Sequence, residues 1–160
     1  MNVQPDINLW GKIRDEFEGC ELKAYKRKGD VWTIGYGTTY LYDKARKIQE
    51  GDEINMDDAI RYMGHDSAQV IRYANLYIKS ALNPTQSTAI CDYIYNRGIG
   101  NFLSTQLDEL INANPEDGQI LMIIKGTGLR DRLGTWLAGL ARRRKMEAYL
   151  YQTGLLKLQF

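Results

Sequence analysis

The sequence predicts a single α+β domain in which a small β-rich lobe and a mainly helical lobe are joined by one long helix. Residues that favour strands are concentrated in 22–42, around a turn at Lys28-Gly29-Asp30. A helical pattern of apolar residues then runs from Met56 to about Lys79, and helix-forming segments fill most of the remaining chain. We expect two lobes of this kind to enclose a cleft, which is where an extended polymer would bind.

The lobes are expected to occupy successive parts of the chain. The β-containing lobe should span about residues 15–60, the connecting helix about 56–79 and the helical lobe about 80–155, with the first helix packed on the helical lobe. The whole chain of 160 residues has the size of one domain, and it is long enough to bury a sizeable core.

Capping residues predict where the helices begin. Asp6 can cap a first helix that ends near Gly19, Asn55 can cap the long helix, and Asn83-Pro84 opens a helix that continues to Tyr95. Further helices are predicted over 104–113, after Pro115 and over 137–151. The apolar face of the long helix is predicted to consist of Met56, Ile60, Met63, Val70, Ala74 and Ile78.

The composition excludes several classes of site. His65 is the only histidine, so a site with several histidine ligands is impossible, and a Ser/His/Asp triad would have to use His65 as its base. Cys20 and Cys91 are too few for a disulfide scaffold and are expected to be reduced thiols. We therefore expect no metal and no cofactor. The net charge of +1 by itself neither favours nor excludes an anionic partner.

The first residues, 1–12, are too polar for a signal peptide or a membrane anchor. We therefore expect the protein to be made in the cytoplasm and not to insert into a membrane.

Glu18 is the first candidate for chemistry, because it stands between the predicted first helix and the predicted hairpin. Next to Phe17, on the last turn and half within the apolar face, a carboxyl group would be desolvated and kept protonated, as a general acid must be. The alternative is a solvated glutamate at a helix end. Position alone does not separate these two possibilities.

Three segments, in order, resemble the phage T4-type lysozymes of glycoside hydrolase family 24. The first is Glu18–Tyr25 (EGCELKAY) followed by Val31–Gly37 (VWTIGYG), and the others are Tyr93–Phe102 (YIYNRGIGNF) and Gly139–Glu147 (GLARRRKME). In that family the glutamate is followed nine positions later by Asp or Cys and fifteen positions later by Thr. Glu18 and Thr33 have the fifteen-residue spacing.

The resemblance implies an enzyme that hydrolyses the β-1,4 bond between N-acetylmuramic acid and N-acetylglucosamine in bacterial peptidoglycan. Glu18 would protonate the leaving oxygen, Thr33 would help to hold the attacking water, and Arg143 would reach Glu18 or the substrate. Tyr36 and Asn96 would have substrate-binding or supporting roles. An alternative for Arg143 is an ion pair with Glu147 on an exposed helix face.

The sequence departs from the family pattern at Arg27, which stands where the second catalytic residue, Asp or Cys, is expected. Asp30 could serve as a displaced second carboxylate, although a turn residue is the simpler interpretation. Thr38 replaces a family histidine whose role is mainly structural. Three outcomes remain open: hydrolysis with Glu18 alone, cleavage without water by a lytic transglycosylase, or glycan binding by a lysozyme-like pseudoenzyme.

The expected partner is bacterial cell-wall peptidoglycan. Nucleic acid is not expected to bind, since the basic run 142–145 has no aromatic residues interleaved with it. We expect a monomer that acts in the periplasm once the membrane is permeabilised, with a holin as the partner that could give it access.

Overall fold

The computed structural model describes residues 1–26, 30–130 and 134–160, and the fold is α+β and lysozyme-like, as predicted. The helices in these ranges are α1 (Ile7–Phe17), α2 (Met56–Tyr77), α3 (Pro84–Arg97), α4 (Ile99–Ser104), α5 (Leu107–Ala113), α6 (Gly118–Gly126) and α7 (Ala138–Thr153). The strands are β1 (Glu21–Tyr25), β2 (Thr33–Gly35), β3 (Tyr40–Leu41) and β4 (Arg46–Lys47). Among these described helices, none has both the length and the apolar character needed to cross a membrane.

The strands form two small antiparallel sheets. In the first, β1 pairs with β2, with Tyr25 opposite Thr33, and in the second, β3 pairs with β4, with Leu41 opposite Arg46. Of the predicted turn at Lys28-Gly29-Asp30, only Asp30 belongs to the described residues. The pairing of Tyr25 with Thr33 brings both ends of that turn region together.

The predicted starts of three helices are confirmed. The Asp6 side chain accepts a hydrogen bond from the Leu9 amide at 3.0 Å, and the Asn55 side chain accepts one from Asp58 at 2.8 Å. Asn83 makes a reciprocal capping box with Gln86, and Pro84 is the first residue of α3. Side chains that bond to the first amide groups thus fix where these helices begin.

Two separate apolar clusters form the cores. The larger lies among the helices and includes Trp10 and Ile13 of α1, whereas the smaller surrounds Ile34 and Leu41 of the sheets. Helix α2 joins them, because its Tyr62 belongs to the small cluster. Its more C-terminal residues Val70 and Ala74 belong to the large one.

The predicted apolar face of α2 is wrong in its first half. Met56 and Ile60 are 45% and 50% exposed, whereas Ala59 and Tyr62 are buried. The reason is that α2 meets the small core with its first turns and the large core with its last turns, and these cores do not lie along one straight stripe of the helix.

The helix predicted over 104–113 begins later than expected, at Leu107, because Ser104 is the last residue of a separate helix, α4. Helix α4 ends at Ser104 and α5 begins at Leu107, with Gln106 between them in the left-handed conformation at φ +58°. A residue in that conformation cannot continue a right-handed helix, so the chain changes direction there and buries Leu107.

Candidate active site

A cleft of about 470 Å³ lies between the end of α1, strands β1 and β2, the end of α3 and the start of α7. We call it the Glu18 cleft. Five of the sequence-predicted site residues line it: Glu18, Asp30, Thr33, Asn96 and Arg143. These residues come from four distant parts of the chain, so the fold brings them together.

Glu18 is the residue at which α1 ends. Its backbone is extended, and its amide donates to the Arg14 carbonyl at 2.7 Å, which closes the last helical turn. A Cβ atom at Gly37, whose φ is +99°, would lie 4.0 Å from Glu18 Oε2. The backbone at Gly37 therefore passes close to the Glu18 carboxylate, just after the end of β2.

The surroundings of Glu18 are more polar than the sequence predicted. Its side chain is 19% exposed, and Oε1 lies 2.5 Å from Nη1 of Arg143. The position next to Phe17 does supply an apolar ring, but Arg142 and Arg143 both lie over that ring, at 4.8 and 5.5 Å from its centroid. The pattern of α1 alone could not indicate this cation, whereas the family resemblance implied that Arg143 would reach Glu18 or the substrate.

Arg143 is anchored behind the cleft by Asp92. Its Nε and Nη2 atoms each donate to one carboxylate oxygen of Asp92 at 2.9 Å, and the Trp10 indole also donates to Asp92, at 3.2 Å. Burial opposes both charges, yet Asp92 raises the pKa of Arg143 above its ordinary value. In the same way, burial opposes ionisation of Asp92, yet Arg143 lowers its pKa. Two nitrogens of the guanidinium therefore hold Asp92 while the third reaches Glu18.

The alternative for Arg143, an ion pair with Glu147 on an exposed helix face, is wrong about the exposure, although the two side chains do approach each other. Arg143 is 2% exposed, Glu147 is fully buried, and Arg143 Nε is 3.7 Å from Glu147 Oε1. The partner closer to Glu147 is Arg144, at 2.8 Å. Burial raises the pKa of Glu147 well above its ordinary value.

Asn96 links this buried layer to the cleft surface. Its Oδ1 accepts a hydrogen bond from Arg144 Nη2 at 2.7 Å, which leaves its amide NH₂ as the donor that it can offer a ligand. Asn96 also lines a second cavity, of about 480 Å³, together with Gly37, Tyr73 and Ile99. We call this the Tyr73 cavity. The Glu18 cleft and the Tyr73 cavity therefore meet at Asn96.

Thr33 and Tyr36 differ in their relation to the cleft. The Thr33 hydroxyl donates to the Val31 carbonyl at 3.1 Å, so its oxygen is oriented and keeps lone pairs to accept from a ligand. Tyr36 is not among the described residues that line the Glu18 cleft, and its hydroxyl contacts Met56 Sδ at 4.0 Å. Its carbonyl accepts from the Tyr95 hydroxyl at 2.8 Å, so Tyr36 connects β2 to α3.

The structure describes only one of the two positions that depart from the family pattern. Arg27 lies outside the described residues, whereas Thr38 is buried and donates to Asp66 of α2 at 2.6 Å. Tyr42 also donates to Asp66. The Thr38 side chain therefore connects the sheet lobe to the long helix α2.

Sequence reasoning missed two residues of the site. Asp92 carried a signal, since a carboxylate within the apolar run 89–94 requires a buried partner. Trp136 lies outside the three segments that resemble the family, yet it lines the Glu18 cleft and is 52% exposed. An exposed indole in a cleft is an apolar surface of the kind that marks ligand grooves.

The fold and the cleft define the chain as a protein of the lysozyme-like class, and comparisons with known proteins identify its family. Residues 15–147 match the phage lysozyme family model. The endolysin of Acyrthosiphon pisum secondary endosymbiont phage 1 is 31% identical over 138 residues, covering 86% of this chain and 90% of the relative. The SAR-endolysin of Enterobacteria phage P21 is 30% identical over 133 residues, covering 83% and 76%. The chain therefore belongs to the phage lysozyme family, a family of peptidoglycan hydrolases.

Solved structures agree on the fold. The endolysin from Escherichia coli O157:H7 phage FAHEc1 superposes with a TM-score of 0.80, at 24% identity, and covers 98% of both chains. A point mutant of P22 lysozyme superposes with a TM-score of 0.71, at 23% identity, over 94% of this chain and 99% of that one.

Proposed function

We propose that this protein is a muramidase that cleaves the β-1,4 bond between N-acetylmuramic acid and N-acetylglucosamine, with Glu18 as the general acid. The observation that carries the proposal is the Glu18 carboxylate, held by Arg143 in a cleft whose lining also includes Thr33. A carboxylic acid at this place would give its proton to the glycosidic oxygen as the bond to C1 breaks.

Arg143 is proposed to position the acid. Its guanidinium is already paired on two nitrogens with Asp92, so Glu18 receives one hydrogen bond from a cation whose charge is largely compensated. This arrangement fixes the direction of the carboxyl group and leaves Oε2 on the side of Gly37. Once Glu18 has lost its proton to the leaving sugar, Arg143 would stabilise the resulting carboxylate.

Thr33 is proposed to place the water that attacks C1. Its hydroxyl proton is used by the Val31 carbonyl, so a water molecule would donate one proton to Thr33 Oγ1 and keep a lone pair for C1. Asp30, which lines the same cleft, is the carboxylate proposed to take up the second role that Arg27 cannot fill. If Asp30 does not act, the acetamido group of the substrate could assist instead.

A polymer substrate would extend from the Glu18 cleft into the Tyr73 cavity. The two share Asn96, whose amide nitrogen can donate to a sugar hydroxyl or acetamido oxygen at the junction. Trp136 also lines the Glu18 cleft, and its exposed indole offers an apolar surface for a sugar ring. Such a groove suits a chain of several sugars better than a single small molecule.

The test is the Glu18→Gln variant on purified peptidoglycan, with release of reducing ends as the measurement. We expect the activity to fall by about 10²–10⁴-fold with an unchanged circular dichroism spectrum. Glu21→Gln is the matched control, since Glu21 is an exposed glutamate three residues away that does not line the cleft. Retention of more than about a tenth of the activity in Glu18→Gln would reject Glu18 as the acid.

Product analysis separates the alternatives. A muramidase gives a reducing muramic acid end, whereas a lytic transglycosylase gives a 1,6-anhydro end and takes up no water. A glycan-binding pseudoenzyme would sediment with insoluble peptidoglycan and yield neither product.

We further propose that the protein is a monomer made in the host cytoplasm that reaches the wall in the periplasm through a membrane lesion, such as a holin provides. The endolysin names of its relatives support action on the cell wall. Expression should then leave cells intact until a membrane-permeabilising agent is added, and turbidity should fall quickly afterwards. Rapid lysis without permeabilisation would contradict this route.

A further inference from the structure

Trp136 stands on a stretch of chain that follows helix α6. We call this stretch, described at residues 127–130 and 134–137, the Trp136 segment. Its two described parts pair with each other, because the Leu137 amide donates to the Leu129 carbonyl at 3.0 Å and an antiparallel bridge forms at Trp136 itself. The place of the indole in the cleft therefore depends on where residues 127–130 are held.

Helix α3 holds the start of the Trp136 segment with two side chains, Tyr93 and Arg97, that lie about one helical turn apart. The Tyr93 hydroxyl shares a hydrogen bond of 2.7 Å with Thr127 Oγ1. Arg97 lies against Gly128, where a Cβ atom would be 2.5 Å from Arg97 Nε and 2.6 Å from its Cδ. Residues four positions apart share one face of a helix, so the segment rests on a single face of α3.

The contact at Gly128 depends on the residue being a glycine. Its φ of +67° lies in the left-handed region, where a side chain strains the backbone. The missing Cβ also leaves the space that Arg97 occupies. Arg97 Nε is buried and has no hydrogen-bond partner among the described residues, so this nitrogen is held by packing against the glycine.

We propose that Arg97 is a positioning residue, whose side chain supports the backbone at Gly128 and so sets where Trp136 stands in the Glu18 cleft. The action is indirect, because Arg97 is among the described residues that line the Tyr73 cavity and not among those that line the Glu18 cleft. One side chain thus forms part of the wall of one cavity and supports a wall of the other. Only the consequence for turnover rests on the proposed function.

The indole N–H signals of the three tryptophans report this placement in the protein without substrate. In Arg97→Ala we expect the Trp136 signal to shift, while that of the fully buried Trp10 stays in place. Arg97→Met should keep the parent spectrum, because an unbranched side chain still fills the space beside Gly128. Arg72→Ala is the matched control, since Arg72 is exposed and is not a described lining residue of either cavity.

Two results of these spectra would overturn the proposal. One is an unmoved Trp136 signal in Arg97→Ala. The other is an equal shift in Arg72→Ala or in Arg97→Met, since the change would then follow the loss of a charge and not the loss of packing.

A double-mutant cycle isolates the contact between Arg97 and Gly128. The strain of an alanine at φ +67° is present in either background, but only in the parent does the new methyl group meet Arg97. We therefore expect Gly128→Ala to lower the free energy of unfolding more in the parent than in the Arg97→Ala protein. Equal losses in the two backgrounds would show that the side chain gives Gly128 no support, and the proposal would fail.

Steady-state hydrolysis of glycan strands tests the consequence for turnover. Arg97→Ala leaves Glu18 and Arg143 in place, so we expect KM to rise about threefold to tenfold while kcat stays within about twofold. Arg97→Met should restore the parent KM, whereas a lost polar contact between Arg97 and the substrate would not be restored by methionine. An unchanged KM in Arg97→Ala, or no recovery in Arg97→Met, would overturn the proposal.

Failure of the proposed function would look different. The Glu18→Gln variant would then cleave glycan strands as the parent does, while the Trp136 signal and the Gly128 cycle would still depend on Arg97.

Discussion

Arg143 and Asp92 form a two-hydrogen-bond ion pair in which both side chains are nearly inaccessible to solvent, at 3% and 0% exposure. The pair lies directly behind Glu18, to which Arg143 gives its remaining Nη1 donor. The helical core and the candidate acid therefore share one guanidinium, so the same residue bears on stability and on catalysis.

Asp92→Asn should destabilise the fold strongly, because Arg143 would lose the charge that compensates it in a buried place. Breaking a pair of this kind costs about 3–5 kcal/mol in the free energy of unfolding. Denaturation by urea measures this loss in the free energy of unfolding. The matched control is Glu16→Gln, which breaks the pair of Glu16 with Arg142, both about one-third exposed, and should cost less than about 1 kcal/mol. Similar losses in the two variants would show that burial of the Arg143 pair does not matter.

Arg27→Asp should raise kcat, by about tenfold if the side chain is close to the reacting sugar, which corresponds to roughly 1.4 kcal/mol. A carboxylate at this position would stabilise the positive charge that develops on the sugar ring, whereas a guanidinium opposes it. Steady-state hydrolysis of soluble glycan strands measures the change.

Asp30→Asn is the companion variant for Arg27→Asp. If Asp30 is the displaced second carboxylate, Asp30→Asn abolishes activity in the parent and Arg27→Asp restores it. Unchanged or lower activity in a well-folded Arg27→Asp protein would mean that position 27 does not face the reacting sugar.

Asp52 should make the sheet lobe sensitive to acid. Two hydrogen bonds from Arg46, with a further one from the Gln49 amide, lower the pKa of Asp52 from 3.8 to about 2. A carboxyl whose pKa is lower in the folded state stabilises the fold above its unfolded pKa, and this contribution is lost as the pH falls towards the folded pKa. The contribution should therefore be complete above about pH 4–5 and largely gone near pH 2.

Melting temperatures of the parent and of Asp52→Asn across this range provide the measurement. The parent should melt at the higher temperature at pH 7, and the two curves should converge as the pH approaches 2. A constant difference between them at every pH would contradict the assignment to Asp52.

Activity should not depend on a metal ion, since proton transfer from Glu18 and attack by water need only carboxyl and hydroxyl groups. Dialysis against EDTA should leave the rate of peptidoglycan hydrolysis unchanged. If the rate fell and returned on addition of a divalent ion, the mechanism proposed for Glu18 would be incomplete.

Local signals in the sequence predicted much of the fold. Asp6, Asn55 and Asn83 marked the starts of three helices, because a cap is made by side chains a few residues from the amides that they bond. Glu18 and Thr33 could be proposed as site residues in the same way, from their fixed spacing in the motif that they share with the phage lysozymes.

Features that depend on distant parts of the chain could not be predicted in this way. The break at Gln106 and the exposure of Met56 and Ile60 follow from where two cores lie, which no periodicity within one helix specifies. The pairing of Asp92 with Arg143 joins residues 51 positions apart and was missed, and the contact of Arg143 with Glu18, 125 positions apart, was expected only from the resemblance to the phage lysozymes.

The sequence by itself determined the order of the elements, the helix starts and the identity of the candidate acid, because each depends on residues close together in the chain. The tertiary structure decided what surrounds that acid. Whether Glu18 meets solvent, an apolar wall or Arg143 depends on how α7 packs against α1 and α3, and Asp92 holds the guanidinium in that place. Packing of this kind minimises unpaired buried charge over the whole domain, so it is a property of the folded chain and not of any one segment.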